Sequence, residues 1–171
     1  MKYYLVALFD DVSYKNLSPI QRRFRANRNS PIPYIPLEVI ENPNIDKLNT
    51  VMDKILKPYK NFKVELSSTV SLCDSNKTIN LKIENIGYIK KIDRLIADNL
   101  KLYGFNVKSG NNELHLSLAN INYINKENKK FDSIIEYKPS ISTLKVNRIE
   151  LWKISNNRRE TLIQTYPLRT I

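Results

Sequence analysis

The stretch ELHLSLANI, Glu113 to Ile121, carries the single histidine of a 171-residue chain. An imidazole ordinarily titrates near pH 6.5, so at neutral pH it can both take and give a proton. Two residues on stands Ser117, whose hydroxyl can donate to a non-bridging phosphate oxygen. In a strand, residues i and i+2 share a face. Leu114, Leu116 and Leu118 then point to one side, and His115, Ser117 and Ala119 to the other. The two polar side chains would stand roughly 6.5 Å apart, near enough to serve one phosphate. Taken alone, the same pattern also reads as the wet face of a strand.

Other chemistries are narrowed by composition. One cysteine, Cys73, excludes an intrachain disulfide, and one Cys with one His does not make a usual zinc site, so neither metal nor cofactor is expected. The formal charge is +11, from 28 Lys and Arg against 17 Asp and Glu. Clustered cations gain affinity by releasing counterions from phosphates, which points to a polyanionic partner. The chain is also rich in Lys, Asn and Ile together, the mark of an AT-rich coding sequence, and this inflates lysine without inflating arginine. Four arginines nevertheless fall in RRFRANR: Arg22, Arg23, Arg25 and Arg28. They read either as a phosphate-binding patch or as a solvated helix face.

The elements that must position these groups follow from pattern. The apolar run KYYLVALF predicts a buried strand over 2–9. A short helix over 18–26 would take Ser18 as N-cap and Pro19 as its first residue. NSPIPYIPLEVI holds three prolines, which leaves a strand only over 34–40. Ile45, Leu48, Val51, Met52, Ile55 and Leu56 line one face of a helix, capped by Asn42 or Asn44 and stopped by Pro58. A strand over 62–72 follows. TINLKIEN alternates, with Ile79, Leu81 and Ile83 on one side and Thr78, Asn80 and Lys82 on the other. Ile89, Ile92, Leu95, Ile96, Leu100 and Tyr103 recur at helical spacing, and Gly104 stands where a left-handed residue ends a helix. After a polar loop, TLKVNRIELWKI and ETLIQTYPL form a hairpin through SNNRR. The class is α+β with mostly antiparallel strands. Each half of the plan carries a strand with an exposed polar position supported by one amphipathic helix.

The length favours one domain over 1–171, and a chain of this size buries roughly 68–70% of its unfolded surface. It has no apolar run of about 18 residues, so no membrane partner is expected. The opening MKYYLVALFDDV meets acids too soon for a secretory signal. The expectation is a cytoplasmic monomer.

GFNVKSGNNELHLSLANI resembles the second signature of the 2H phosphoesterase superfamily, in which a helix ends in Gly-Phe and a strand then presents His-hydrophobic-Thr/Ser. The closing VNRIELWKISNNRRETLIQTYPL is similar to that family's last hairpin. The resemblance implies two pseudo-symmetric lobes of mostly antiparallel sheet, with outer helices and a central groove lined by one motif from each lobe. It also implies metal-independent chemistry of the cyclic phosphodiesterase or 2′,5′ RNA ligase-like kind. There, one imidazole activates water or a ribose hydroxyl, a second protonates the departing oxygen, and two hydroxyl residues hold the phosphate.

The slot of the first motif is SPIPYIPLEVIENP, where Tyr34 stands for the histidine and Pro36 for the threonine. A phenol, with a pKa near 10, is a poor base at neutral pH, and proline offers no donor. One proton-transfer group is worth typically 10²–10⁴-fold, so the departure implies impaired or altered hydrolysis. Two roles stand open for Tyr34: acid to a His115 base, or an aromatic wall that packs or stacks. The function implied is a divergent phosphoesterase directed at RNA ends or cyclic or 2′,5′-linked nucleotides. A non-catalytic nucleotide- or RNA-binding module on the same fold is the alternative. Phe24 reads as core or as a base-stacking ring, and Tyr123, Lys126, Lys129 and Lys130 as groove rim or solvated loop.

Overall fold

The computed structural model describes residues 1–23, 32–73, 78–84, 87–108, 114–120, 135–136, 143–154 and 160–170. For 22–23, 68–73, 119–120, 135–136 and 154 it describes the backbone alone. The chain folds as α+β. In order, the elements are β1 Lys2–Phe9, α1 Asp11–Arg23, β2 Ile35–Glu41, α2 Ile45–Leu56, β3 Phe62–Cys73, β4 Thr78–Ile83, α3 Gly87–Leu102, β5 Asn106–Lys108, β6 His115–Asn120, β7 Ile135–Glu136, β8 Thr143–Ile154 and β9 Glu160–Pro167.

β1 is apolar from end to end because both of its faces are covered. Leu5, Ala7 and Phe9 enter the main core, whereas Val6 and Leu8 join Trp152 in a second cluster against Tyr4, Tyr14 and Tyr34. The strands run in the order β5-β2-β1-β8-β3-β4-β6, with β7 on β3 and β9 on β8. Every ladder between named strands is antiparallel. β3 is shared: Phe62 to Glu65 pair with β8, and from Leu66 onward the strand pairs with β4 across a register shift. The far end of this path returns to β2, because Tyr34 bridges Ser117 on β6.

Helices α2 and α3 bring Leu48, Val51, Met52, Ile55 and Leu56, and Ile89, Ile92, Ile96 and Leu100, onto the main core. Each fully buried aliphatic contributes about 1.5–3 kcal/mol relative to exposure. The Asn44 side chain accepts from the Lys47 N–H at 3.2 Å and so caps α2. Gly104 closes α3 at φ +87°, a conformation that needs glycine.

Three expectations are corrected. Helix α1 starts at Asp11, not at Ser18, because Asp10 is the cap: its carboxylate accepts from the Ser13 N–H at 2.9 Å. Burial pushes that carboxyl up, but the Ser13 hydrogen bonds and the Lys145 charge hold it below its ordinary value. Pro19 lies inside the helix, where it removes one main-chain bond. Burial of Leu17 and Ile20 offsets the loss, as does the Lys145 N–H donating to Ser13 Oγ at 2.9 Å. Second, β5 and β7, of three and two residues, are additions; elements so short carry no readable period. Third, TINLKIEN, whose alternation reads as a half-buried strand, is covered on its polar side too at Asn80, which is 8% exposed and stands opposite buried Ser117.

Candidate functional site

The leucines of β6 fix what the histidine does. Leu114, Leu116 and Leu118 are buried in the main core, so His115, half-buried, and Ser117 occupy the opposite face. On neighbouring β4, Lys82 pairs with His115 and Asn80 with Ser117, while Leu81 pairs with Leu116 in the core. Directly opposed residues of an antiparallel pair hold their Cβ atoms about 4.5–5.5 Å apart. Lys82, His115, Asn80 and Ser117 therefore make one polar patch, two residues wide on each strand.

Tyr34 is held against that patch by main chain. Its N–H donates to the Ser117 carbonyl at 3.2 Å, and the Ser117 N–H donates back to the Tyr34 carbonyl at 2.8 Å. Residues exchanging both bonds present their side chains on one face, and the Tyr34 and Ser117 hydroxyls are hydrogen-bonded. Burial pushes the Tyr34 phenol above its ordinary pKa, more than the Ser117 contact lowers it. The group is thus a neutral phenol and a weaker acid than free tyrosine. Two residues on, Pro36 lies on the same side of its strand as Tyr34. Pro36 also shares the face of its β1 partner Val6, in the second cluster.

A second layer fixes the Tyr34 ring. Trp152 meets it edge-on, with centroids 4.9 Å apart and planes at 64°. The indole Nε1 donates to Glu150 Oε1 at 2.9 Å, and Arg148 Nε donates to Glu150 Oε2 at 2.8 Å. Arg148 Nη1 also donates to the Phe9 carbonyl at 2.7 Å. Edge-to-face packing and a charge-assisted chain of this kind restrict rotamers on both sides. Helix α1 then clips the two motif segments together. The Tyr14 hydroxyl donates to the Pro33 carbonyl at 2.9 Å, and Gln21 Nε2 donates to the Leu118 carbonyl at 2.9 Å. Tyr14 and Gln21 lie two helical turns apart, on one face.

Of the residues singled out by sequence, the structure brings Tyr34, His115 and Ser117 onto one face. Arg22 and Arg23 end α1 with side chains outside the described residues. Arg25 and Arg28 lie outside them altogether, as do Phe24, Tyr123, Lys126, Lys129 and Lys130, and so does the Cys73 side chain. Among the described residues, no group of three or more His, Cys, Asp and Glu stands together to hold a metal. Sequence reasoning missed Lys82 and Asn80. The alternation of TINLKIEN already puts them on one face, but only the register against β6 shows which residues they meet. Tyr14, Gln21 and Trp152 carry no such signal, since their partners are remote in sequence.

No family model matches the chain, and no curated protein does. Solved structures do. A phosphoesterase crystal structure superposes with a TM-score of 0.65 at 10% identity, covering 98% of each chain. E. coli LigT complexed with 3′-AMP gives 0.63 at 11% identity, over 98% of this chain and 97% of its own. A Thermus thermophilus protein gives 0.60 at 12% identity, over 99% of each. What is shared at such identity is the placement of strands and helices: the chain has the fold of LigT and of the phosphoesterase structure along nearly its whole length.

Proposed function

We propose that this chain is a divergent 2H phosphoesterase-like protein that takes the phosphate of RNA ends or of cyclic or 2′,5′-linked nucleotides. Its phosphodiester hydrolysis is impaired or altered. Hydrolysing such an ester requires a proton to leave the attacking water and another to reach the departing ribose oxygen. His115 is the group suited to one transfer. The other falls to bulk water or to Tyr34, whose burial makes it reluctant to give up a proton. The observation that carries the reading is the Tyr34–Ser117 pair, which joins the two motif segments and leaves a single imidazole beside them. LigT structures hold 3′-AMP, ATP, NADP+ and phosphate, which supports a nucleotide phosphate as ligand on this fold. No described helix is long and apolar enough to cross a membrane.

The test is incubation with 2′,3′-cyclic nucleotides and 2′,5′-linked oligonucleotides, comparing the natural chain with His115→Ala. Slow product formation that drops roughly 10²-fold or more in the variant is expected; equal product from both proteins removes the hydrolytic part. A specific observation favours the second reading, a binding module without turnover. Ser117 is 4% exposed and its hydroxyl is engaged by Tyr34, so less of the motif reaches a ligand. Nucleotide binding with no product from either protein selects that reading.

A further inference from the structure

Counting what each group on the β4–β6 face still has to offer leads beyond the His-x-Ser pair. Ser117 is nearly covered, and its hydroxyl is bonded to Tyr34. Asn80 is nearly covered as well, and its Oδ1 meets no donor among the described residues. His115 is half-buried and Lys82 is exposed, and the two are direct cross-strand partners. No described residue forms an ion pair with Lys82. An anion arriving from solvent therefore meets an ammonium and an imidazole before it meets a hydroxyl.

We infer that Lys82 is the cation that holds the ligand's phosphate. The seat lies between Lys82 and His115 on neighbouring strands, outward of the Tyr34–Ser117 pair. The inference rests on the proposed function in taking a nucleotide phosphate as ligand, and it changes where on the fold that phosphate sits. Three features carry it. Ser117 is hydrogen-bonded to the Tyr34 phenol and nearly covered, so the inner position is screened from an arriving anion. Pro36, two residues on from Tyr34, supplies no donor there. An ammonium is a compact point charge with three rotatable donors, which suits a phosphate whose oxygens arrive from the solvent side. Lys82 binds here without transferring a proton. Its partner His115 remains the group within reach of the ester oxygens.

The chain's single histidine makes the experiment direct, because its ring protons give unambiguous NMR signals. Titrating the full chain with inorganic phosphate at fixed neutral pH is expected to move those signals saturably. Lys82→Met should raise the apparent Kd roughly 5- to 10-fold, and Lys82→Arg should stay within about 2-fold of the natural chain. Lys82 is exposed, so neither change threatens folding. A Lys82→Met titration that overlays the natural one overturns the seat.

The same proteins assayed on 2′,3′-cyclic nucleotides separate the two ideas. Turnover with an unchanged KM in Lys82→Met removes the seat and keeps the function. Lys82-dependent phosphate shifts without any turnover keep the seat and remove the enzyme. A natural chain that shows no saturable shift removes both.

Discussion

On the proposed reading Tyr34 stands where a second histidine would, and a buried phenol is no proton shuttle. The phenol of Tyr34 is wedged edge-on against Trp152 and bonded to Ser117, and burial holds its proton on. Two residues on, Pro36 offers no donor where the proposed reading expects a threonine hydroxyl. If these two positions limit chemistry on a sound scaffold, restoring both side chains should restore rate. Tyr34→His combined with Pro36→Thr is expected to raise hydrolysis of 2′,3′-cyclic AMP by roughly 10²-fold over the natural chain, the usual worth of one positioned acid or base. Steady-state kinetics measures it. A doubly substituted protein with native circular dichroism and no gain would show that the scaffold, and not these two residues, sets the limit.

At the scale of elements, the strand that follows Tyr34 carries a buried carboxyl on its other face. Glu38 pairs with Leu5, on the helix side of the sheet, and is 7% exposed. Burial and the nearby Asp93 raise its pKa to about 7, Lys101 opposing; burial raises Asp93, whose Oδ1 has no partner among the described residues, to about 6. Both values lie above those of exposed carboxyls, so between roughly pH 4 and 7 the folded chain keeps protons that the unfolded chain has released. Their neutral forms are thus fully tolerated below that window, and stability falls as pH rises through the folded values. After allowance for screening, the loss by pH 8 is about 1–2 kcal/mol. Thermal melts should show Tm declining from pH 5 to pH 8 in the natural chain and a shallower decline in Glu38→Gln, which should also be the more stable at pH 8. Parallel curves would place the pH dependence elsewhere.

The same strand shows where sequence reading stops. Its apolar residues announce an element near 34–40, and the periods of α2 and α3 announce theirs, because a single face of a helix or strand is a local property. The buried acid at Glu38 is silent, since nothing local says that Asp93 of α3 will stand near it. The start of α1 is misread for a related reason. Ser18-Pro19 imitates a cap, whereas the working cap at Asp10 is recognised only through its bond to the Ser13 N–H. His115 and Ser117 are legible as a pair two apart. Their neighbours Lys82 and Asn80 are legible as types but not as partners, because register across β4 and β6 is a tertiary fact.

At the scale of the whole molecule, the +11 charge separates local from distributed recognition. A mononucleotide engages one seat, and its affinity depends on the few groups there. An oligonucleotide spans further phosphates, each releasing counterions, so its affinity falls more steeply with salt. On the proposed reading such contacts accumulate at the end of α1. Gln21 reaches the Leu118 carbonyl, one residue beyond Ser117, and Arg22 and Arg23 follow directly at the helix end. Replacing both arginines with alanine should lower the slope of log affinity against log salt by about 1.4 for a single-stranded oligonucleotide, at roughly 0.7 per lost phosphate contact. Affinity for 3′-AMP should change less than about 2-fold, because a lone phosphate does not extend that far. Fluorescence anisotropy across a salt series reads the first, and the His115 ring signals read the second. An unchanged slope would assign the arginines to a solvated helix end. A matching loss for the mononucleotide would instead draw them into the seat itself, and the separation between local and distributed binding would fail.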